Sequence, residues 1–134
     1  MSYMGSSISL SPTVSLNSAE DIPKAAGRVV RFDSEGNVTL CKDPKVTAVG
    51  IVILNSQDDV KAKDSVTVQI AGRGIALAGG AFDCGSELSV DSEGRLVASA
   101  EGQFVVGYAF SKGVSGRLFQ IQICKSYKPS TQGQ

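Results

Sequence analysis

Gly27-Arg-Val-Val-Arg-Phe32, Asp33-Ser-Glu-Gly36 and Asn37-Val-Thr-Leu-Cys41 follow one another without a break, and their reading decides the fold. The first run is rich in β-branched and aromatic side chains, which suit a pleated strand. The tetrapeptide is a turn in which Gly36 can take positive φ, and the third run returns as the second arm of a hairpin. The construction then recurs. Gly85-Ser-Glu-Leu-Ser-Val90 leads into a second Asp-Ser-Glu-Gly at 91–94, and Arg95-Leu-Val-Ala-Ser99 returns.

Working outward, residues 47–54 (TAVGIVIL) form the most apolar run and read as a buried strand. Residues 65–71 alternate, with Val66, Val68 and Ile70 on one face. Residues 72–78 (GRGIALA) continue the β pattern across a glycine kink, until Gly79 and Gly80 break it. Downstream, Phe104-Val-Val-Gly-Tyr-Ala-Phe110 matches the run around Val49-Gly50, and Leu118-Phe-Gln-Ile-Gln-Ile123 matches Val66 to Ile70. The two turns are 58 residues apart, the Val-Gly pairs 57 and the Gln-Ile pairs 53. Three landmarks in one order at near-constant spacing predict an internal duplication, with units at about 27–71 and 85–123. Each unit is hairpin, buried strand, loop, strand. Two units are too few for a solenoid, so the expected fold is all-β, a small barrel or sandwich closed by the two units on each other. Helix signals are confined to one turn at 17–21, stopped by Pro23, and one at 56–63.

The expected plan is an extended N-terminal arm at 1–24, a β domain at 25–124 and a flexible tail at 125–134. The segments 1–7 and 126–134 are rich in Ser, Gly, Gln and Pro. Ile8, Leu10, Val14 and Leu16 stand at even spacing ahead of the first repeat. They fit an arm that adds a strand to a partner's sheet edge, or equally the first strand of this domain. These four are the candidate partner-binding residues.

The 134 residues suit one domain, and 42% hydrophobic residues with only 6% aromatics and no Trp require an aliphatic core. Thirteen basic and thirteen acidic residues cancel, so the basic excess expected of a nucleic-acid binder is missing. Cys41, Cys84 and Cys124 are odd in number and far apart, which predicts unpaired thiols in a protein made in cytosol. The first residues have neither the basic start nor the apolar core of a signal peptide, and no run approaches a membrane span, so a soluble chain is expected.

The chain contains no His, so Ser-His-Asp and Cys-His catalysis and most zinc sites are excluded. The carboxylate pairs Asp58-Asp59 and Glu20-Asp21 lie in polar loop sequence with nothing to shift their pKa. The glycines at 72–80 fit neither a P-loop nor GxGxxG spacing. The repeated acidic turns lack the ligand count of a calcium loop. Phe104, Tyr108 and Phe110 have no interleaved basic residues and read as one buried sheet face rather than a base-stacking platform. No catalytic residue, cofactor or metal is expected, and function falls to surfaces, edges and tails.

The order of these pieces carries a resemblance over about residues 24–123. They are Gly27-x-Val-Val before a D-x-x-G turn, Val49-Gly50-Ile-Val, Asp64-x-Val-x-Val, Ala71-Gly-x-Gly-Ile-Ala-Leu-Ala, a second D-x-x-G-R turn at 91–95 and Val106-Gly107-Tyr-Ala. Together they resemble tailed-phage head decoration proteins, also called capsid cement or head-fibre base proteins. The resemblance implies a non-enzymatic virion protein that binds the major capsid protein on the outer surface of the head, often as a homotrimer where coat subunits meet. Synthesis in the host cytoplasm and the absence of a nucleic-acid or membrane partner are expected from the balanced charge and the lack of a signal peptide or apolar span. The alternative the resemblance leaves is a β-barrel component of a tail or fibre base with a receptor- or carbohydrate-binding role.

Overall fold

The computed structural model describes residues 12–53 and 59–129. Ten strands account for the regular structure: β1 Thr13–Asn17, β2 Val29–Phe32, β3 Val38–Leu40, β4 Gly50–Val52, β5 Ser65–Gln69, β6 Gly72–Leu77, β7 Glu87–Val90, β8 Leu96–Ala98, β9 Phe104–Ala109 and β10 Leu118–Tyr127. They form two five-stranded antiparallel sheets in the orders β1-β5-β4-β2-β3 and β6-β10-β9-β7-β8. Adding five to each label of the first order yields the second. The duplication is therefore a duplication of topology.

Its irregular parts repeat as well. Single parallel bridges join Ser18 to Val38 and Ala78 to Leu96, and single antiparallel bridges join Ile22 to Val60 and Phe82 to Gly113. The parallel bridge brings the end of the first strand of each unit against the third. Each sheet thus curls round and its edges meet at that point, which gives a sandwich-like pair of curled sheets and no closed barrel.

The sequence landmarks have a common physical cause. Ile51 pairs with Gln69, and Tyr108 pairs with Gln122, which sets Gly50 and Gly107 over the same backbone position of the neighbouring strand. A Cβ on Gly50 would lie 2.1 Å from the Gln69 carbonyl oxygen, and one on Gly107 would lie 2.2 Å from that of Gln122. No side chain fits there, so the Val-Gly and Gln-Ile pairs recur because they are two halves of one close approach. The turns recur for a similar reason. Asp33 Oδ1 accepts the N–H groups of Glu35 and Asn37 at 2.8 and 3.0 Å, and Asp91 Oδ1 accepts those of Glu93 and Arg95 at 2.8 and 2.9 Å. Gly36 and Gly94 follow with φ of 83° and 76°. An Asp whose carboxylate folds the turn and a Gly that supplies positive φ form the minimal recipe.

Several boundaries differ from the sequence reading. β6 opens the second unit and does not extend the first. Only Ile70 and Ala71 separate it from β5, so the two strands read as one run. The counterpart of β6 is β1, and the first unit begins at Thr13 rather than near residue 27. Residues 17–21 and 59–63 form no helix, and residues 54–58 lie outside the described part. The apolar run at 47–54 contributes a strand only at Gly50–Val52. At the other end β10 runs to Tyr127, past the expected boundary at 124, because it pairs with both β6 and β9.

Two apolar clusters hold the molecule. One lies inside the first sheet and joins Val30, Val38, Val52, Val66 and Val68 to Ile22, Ala25 and Val60. The other lies inside the second sheet, around Leu88, Leu96, Phe119 and Ile121, and extends to Val29, Cys41, Ala48 and Ile51 of the first unit. Side chains alternate across a strand. Val30 and Val52 therefore fill the first unit while Val29 and Ile51, on the opposite face, fill the second. The units are stacked in sequence, the back of one closing the mouth of the next. No described buried side-chain N or O lacks a hydrogen-bond partner. Ser89, fully buried, donates to the Phe104 carbonyl at 2.7 Å and lies 2.6 Å from the Ser99 hydroxyl.

Candidate docking surfaces

Stacking the units in this way covers one back and one mouth and, among the described residues, leaves one of each uncovered. The uncovered mouth belongs to the first unit. It is an apolar groove of about 550 Å³ lined by Val14, Leu16, Phe32, Thr47, Ala48, Val49, Ile70 and Lys125. Val14 and Leu16 come from the sheet edge β1, which pairs in register with β5 from Thr13–Gln69 to Asn17–Ser65. Phe32, at the end of β2, is 48% exposed. Lys125 reaches the rim from β10 and donates from Nζ to the Val49 carbonyl. Burial of that ammonium lowers its pKa.

The uncovered back belongs to the second unit. Tyr108 and Phe110 lie there with ring centroids 6.2 Å apart, and the Arg73 guanidinium sits 4.7 Å over the Phe110 ring. Ile75 and Leu118 are exposed on the flanking strands. These aromatics do not form a buried sheet face with Phe104, as the even spacing suggested. Phe104 packs on the core, whereas Tyr108 and Phe110 are 38% and 43% exposed. The strand does not alternate regularly: its pairing with β10 shifts register beside Gly107, so Val106 is buried in the core while Tyr108 and Phe110 face outward, where none of the described residues buries them.

Of the four residues picked out in sequence, Val14 and Leu16 line the groove as part of β1. Ile8 and Leu10 lie outside the described residues. Spacing alone could not find Phe32, Val49 and Ile70, which strand pairing brings to the same mouth from β2 and from the ends of β4 and β5.

Beside this region Glu20 ties the loop after β1 to the opposite edge strand. Its carboxylate accepts from the Thr39 hydroxyl and from the Leu40 N–H at 2.9 Å. Burial pushes this carboxyl pKa upward. The two hydrogen bonds, with Lys42 and Arg31 nearby, outweigh that push and hold it below the usual range. Cys41 is buried, which raises its pKa, while Cys84 and Cys124 are exposed, and all three thiols are free. Among the described residues no group of three or more His, Cys, Asp or Glu can hold a metal ion.

The chain's similarities agree with a molecule built of surfaces. A family model described as phage cement protein matches residues 11–121. The chain belongs to that family, a class of phage structural proteins. Among solved structures the fold is similar to the head fiber gp8.5 N base of bacteriophage phi29, with a TM-score of 0.65 and 16% sequence identity. The match covers 84% of this chain and 92% of the phi29 chain. At that identity the likeness speaks for the fold. No curated protein matches the sequence.

Proposed function

We propose that this chain decorates the outside of a phage head, binding the major capsid protein and stabilising contacts between its subunits as a homo-oligomer, with a trimer favoured. The observation that carries the reading is the family match over nearly the whole described fold. The surfaces support it: a rigid body with an exposed apolar mouth and an exposed aromatic back suits polyvalent docking, in which many modest contacts add up to high avidity. In this reading Ile8 and Leu10 contact the shell, and Val14 and Leu16 act from within β1.

The test is co-sedimentation of the purified chain with undecorated heads of the phage that encodes it. Saturable binding is expected, and heads bearing the chain should rupture at higher temperature than bare heads. Deleting residues 1–11 should weaken binding without changing thermal unfolding. Deletion through residue 16 removes β1 and should lower the melting temperature as well. Binding to tails instead of heads would favour the second reading, a tail or fibre-base component that recognises carbohydrate. The exposed Tyr108–Phe110 pair is the feature that speaks for it, and glycan binding lost on Tyr108→Ala would establish it.

A further inference from the structure

The two units supply a template for a contact that the described residues of one chain leave incomplete. Within the chain, the back of the first unit closes the mouth of the second. The Val29 N–H donates to the Gly94 carbonyl at 2.8 Å, the Leu77 N–H donates to the Gly27 carbonyl at 2.9 Å, and Arg28 reaches the Glu93 carbonyl. The back contributes Val29 and Ile51, which are 0% and 2% exposed. Their counterparts on the back of the second unit are Glu87 and Tyr108, both exposed. On the mouth of the second unit, Val90, Val106 and Ile123 are 3%, 1% and 6% exposed. Their counterparts in the first unit are Phe32, Val49 and Ile70, which line the open groove. The turns show the same division. Gly94 is buried against Leu40, whereas a Cβ on Gly36 would meet nothing within 4 Å.

We propose that the open groove of one copy, lined by Val14, Leu16, Phe32, Thr47, Val49 and Ile70, takes the back of the second unit of another copy, centred on Tyr108. Copies then join head to tail. The inference rests on the homo-oligomeric reading above and names its interface. The contact is heterologous: each chain offers a mouth at one end and a back at the other, so the series must close into a ring or run on as a filament. A ring of three would place six units round its axis. The contact between copies is more polar than the one inside the chain, since Glu87 stands where Val29 does and Ser99 where Cys41 does. Tyr108 at the position of Ile51 keeps a large apolar centre with a polar rim, which is the composition of a reversible interface. Association is therefore concentration-dependent in solution and promoted where a shell gathers many copies.

Two variants separate the two ends. Phe32→Glu spoils the mouth and leaves the back intact, and Tyr108→Glu does the reverse. Both side chains are well exposed, and circular dichroism checks that each variant is folded. Sedimentation of the wild type should show a closed oligomer at high concentration, and each variant alone should associate at least about tenfold more weakly. Mixed in equal amounts, the variants retain one good mouth and one good back between them. They should form a pair containing one of each and nothing larger. Wild type that stays monomeric at millimolar concentration, variants that assemble like wild type, or a mixture that forms no pair would each overturn the proposal. Loss of association on deleting residues 1–11 would also overturn it, by assigning the groove to that segment. Wild type that binds heads but stays monomeric, in solution and when cross-linked on the shell, would overturn this interface and leave the decoration reading standing.

Discussion

The turn at 33–36 and its copy at 91–94 share sequence, internal hydrogen bonds and backbone conformation, yet one projects into open space and the other is packed beneath Leu40. The same holds for the strands that follow and precede them. Val90 is buried where Phe32 is exposed, and Ile51 is buried where Tyr108 is exposed. Local sequence builds each unit in the same way, and position in the stack then assigns different work to matching residues. A duplicated fold is thus locally symmetric and globally polar.

Substitutions at matched positions can break that comparison or sharpen it. The largest effect is expected where the units are alike. Gly50→Ala and Gly107→Ala each force a methyl into a carbonyl oxygen and should each cost about 3 kcal/mol or more, because backbone rather than a pliable side chain must yield. Urea unfolding of the two variants measures this. Equal losses support a shared close approach, and a harmless Gly50→Ala would refute it.

The next effect should differ between units. At Gly36, Ala meets only the left-handed backbone penalty, about 1 kcal/mol. At Gly94 the same penalty is joined by a Cβ placed 2.5 Å from Leu40 Cδ1. Gly94→Ala should therefore destabilise by about 2 kcal/mol or more. Equal melting temperatures for the two variants would mean that the stacked contact contributes little.

The smallest effect concerns a bond found only in the first unit. Glu20→Gln should lose about 1 kcal/mol at neutral pH, the worth of a charge-assisted hydrogen bond on a partly exposed group. The folded-state pKa of Glu20 is depressed, so its contribution is present in full above the ordinary carboxylate pKa. It disappears as pH falls through the lowered value. The stability gap between wild type and Glu20→Gln should close in acid, and a gap that persists there would place the effect in packing instead.

Much of the architecture was legible because its repeated landmarks touch each other. Val49-Gly50 and Gln69-Ile70 meet in one close approach, so their joint recurrence marked a folded unit. The start of the second unit was not legible, since two residues between β5 and β6 leave no mark in the hydrophobic pattern. What tells them apart is pairing, β5 with β1 and β4 and β6 with β10, and a local bond marks the crossing: the Gln69 side-chain amide donates to the carbonyls of Ala71 and Arg73 at 2.9 and 3.0 Å. The docking surfaces were only half legible. Alternation placed Val14 and Leu16 on one face, but Ile51 and Tyr108 occupy the same strand position, and only the stacking decides which is covered.

The pairing of β1 with β5 also governs the order of events during synthesis. β1 leaves the ribosome first but finds its neighbour only when Gln69 has emerged, whereas the hairpin of β2 and β3 closes within a few residues. Local pairs form fast, and pairs distant in sequence wait for loop closure. The hairpin should therefore fold early and β1 dock late. The edge strand that borders the open groove is then the last part of its unit to be secured, and the first to loosen when the chain is stressed.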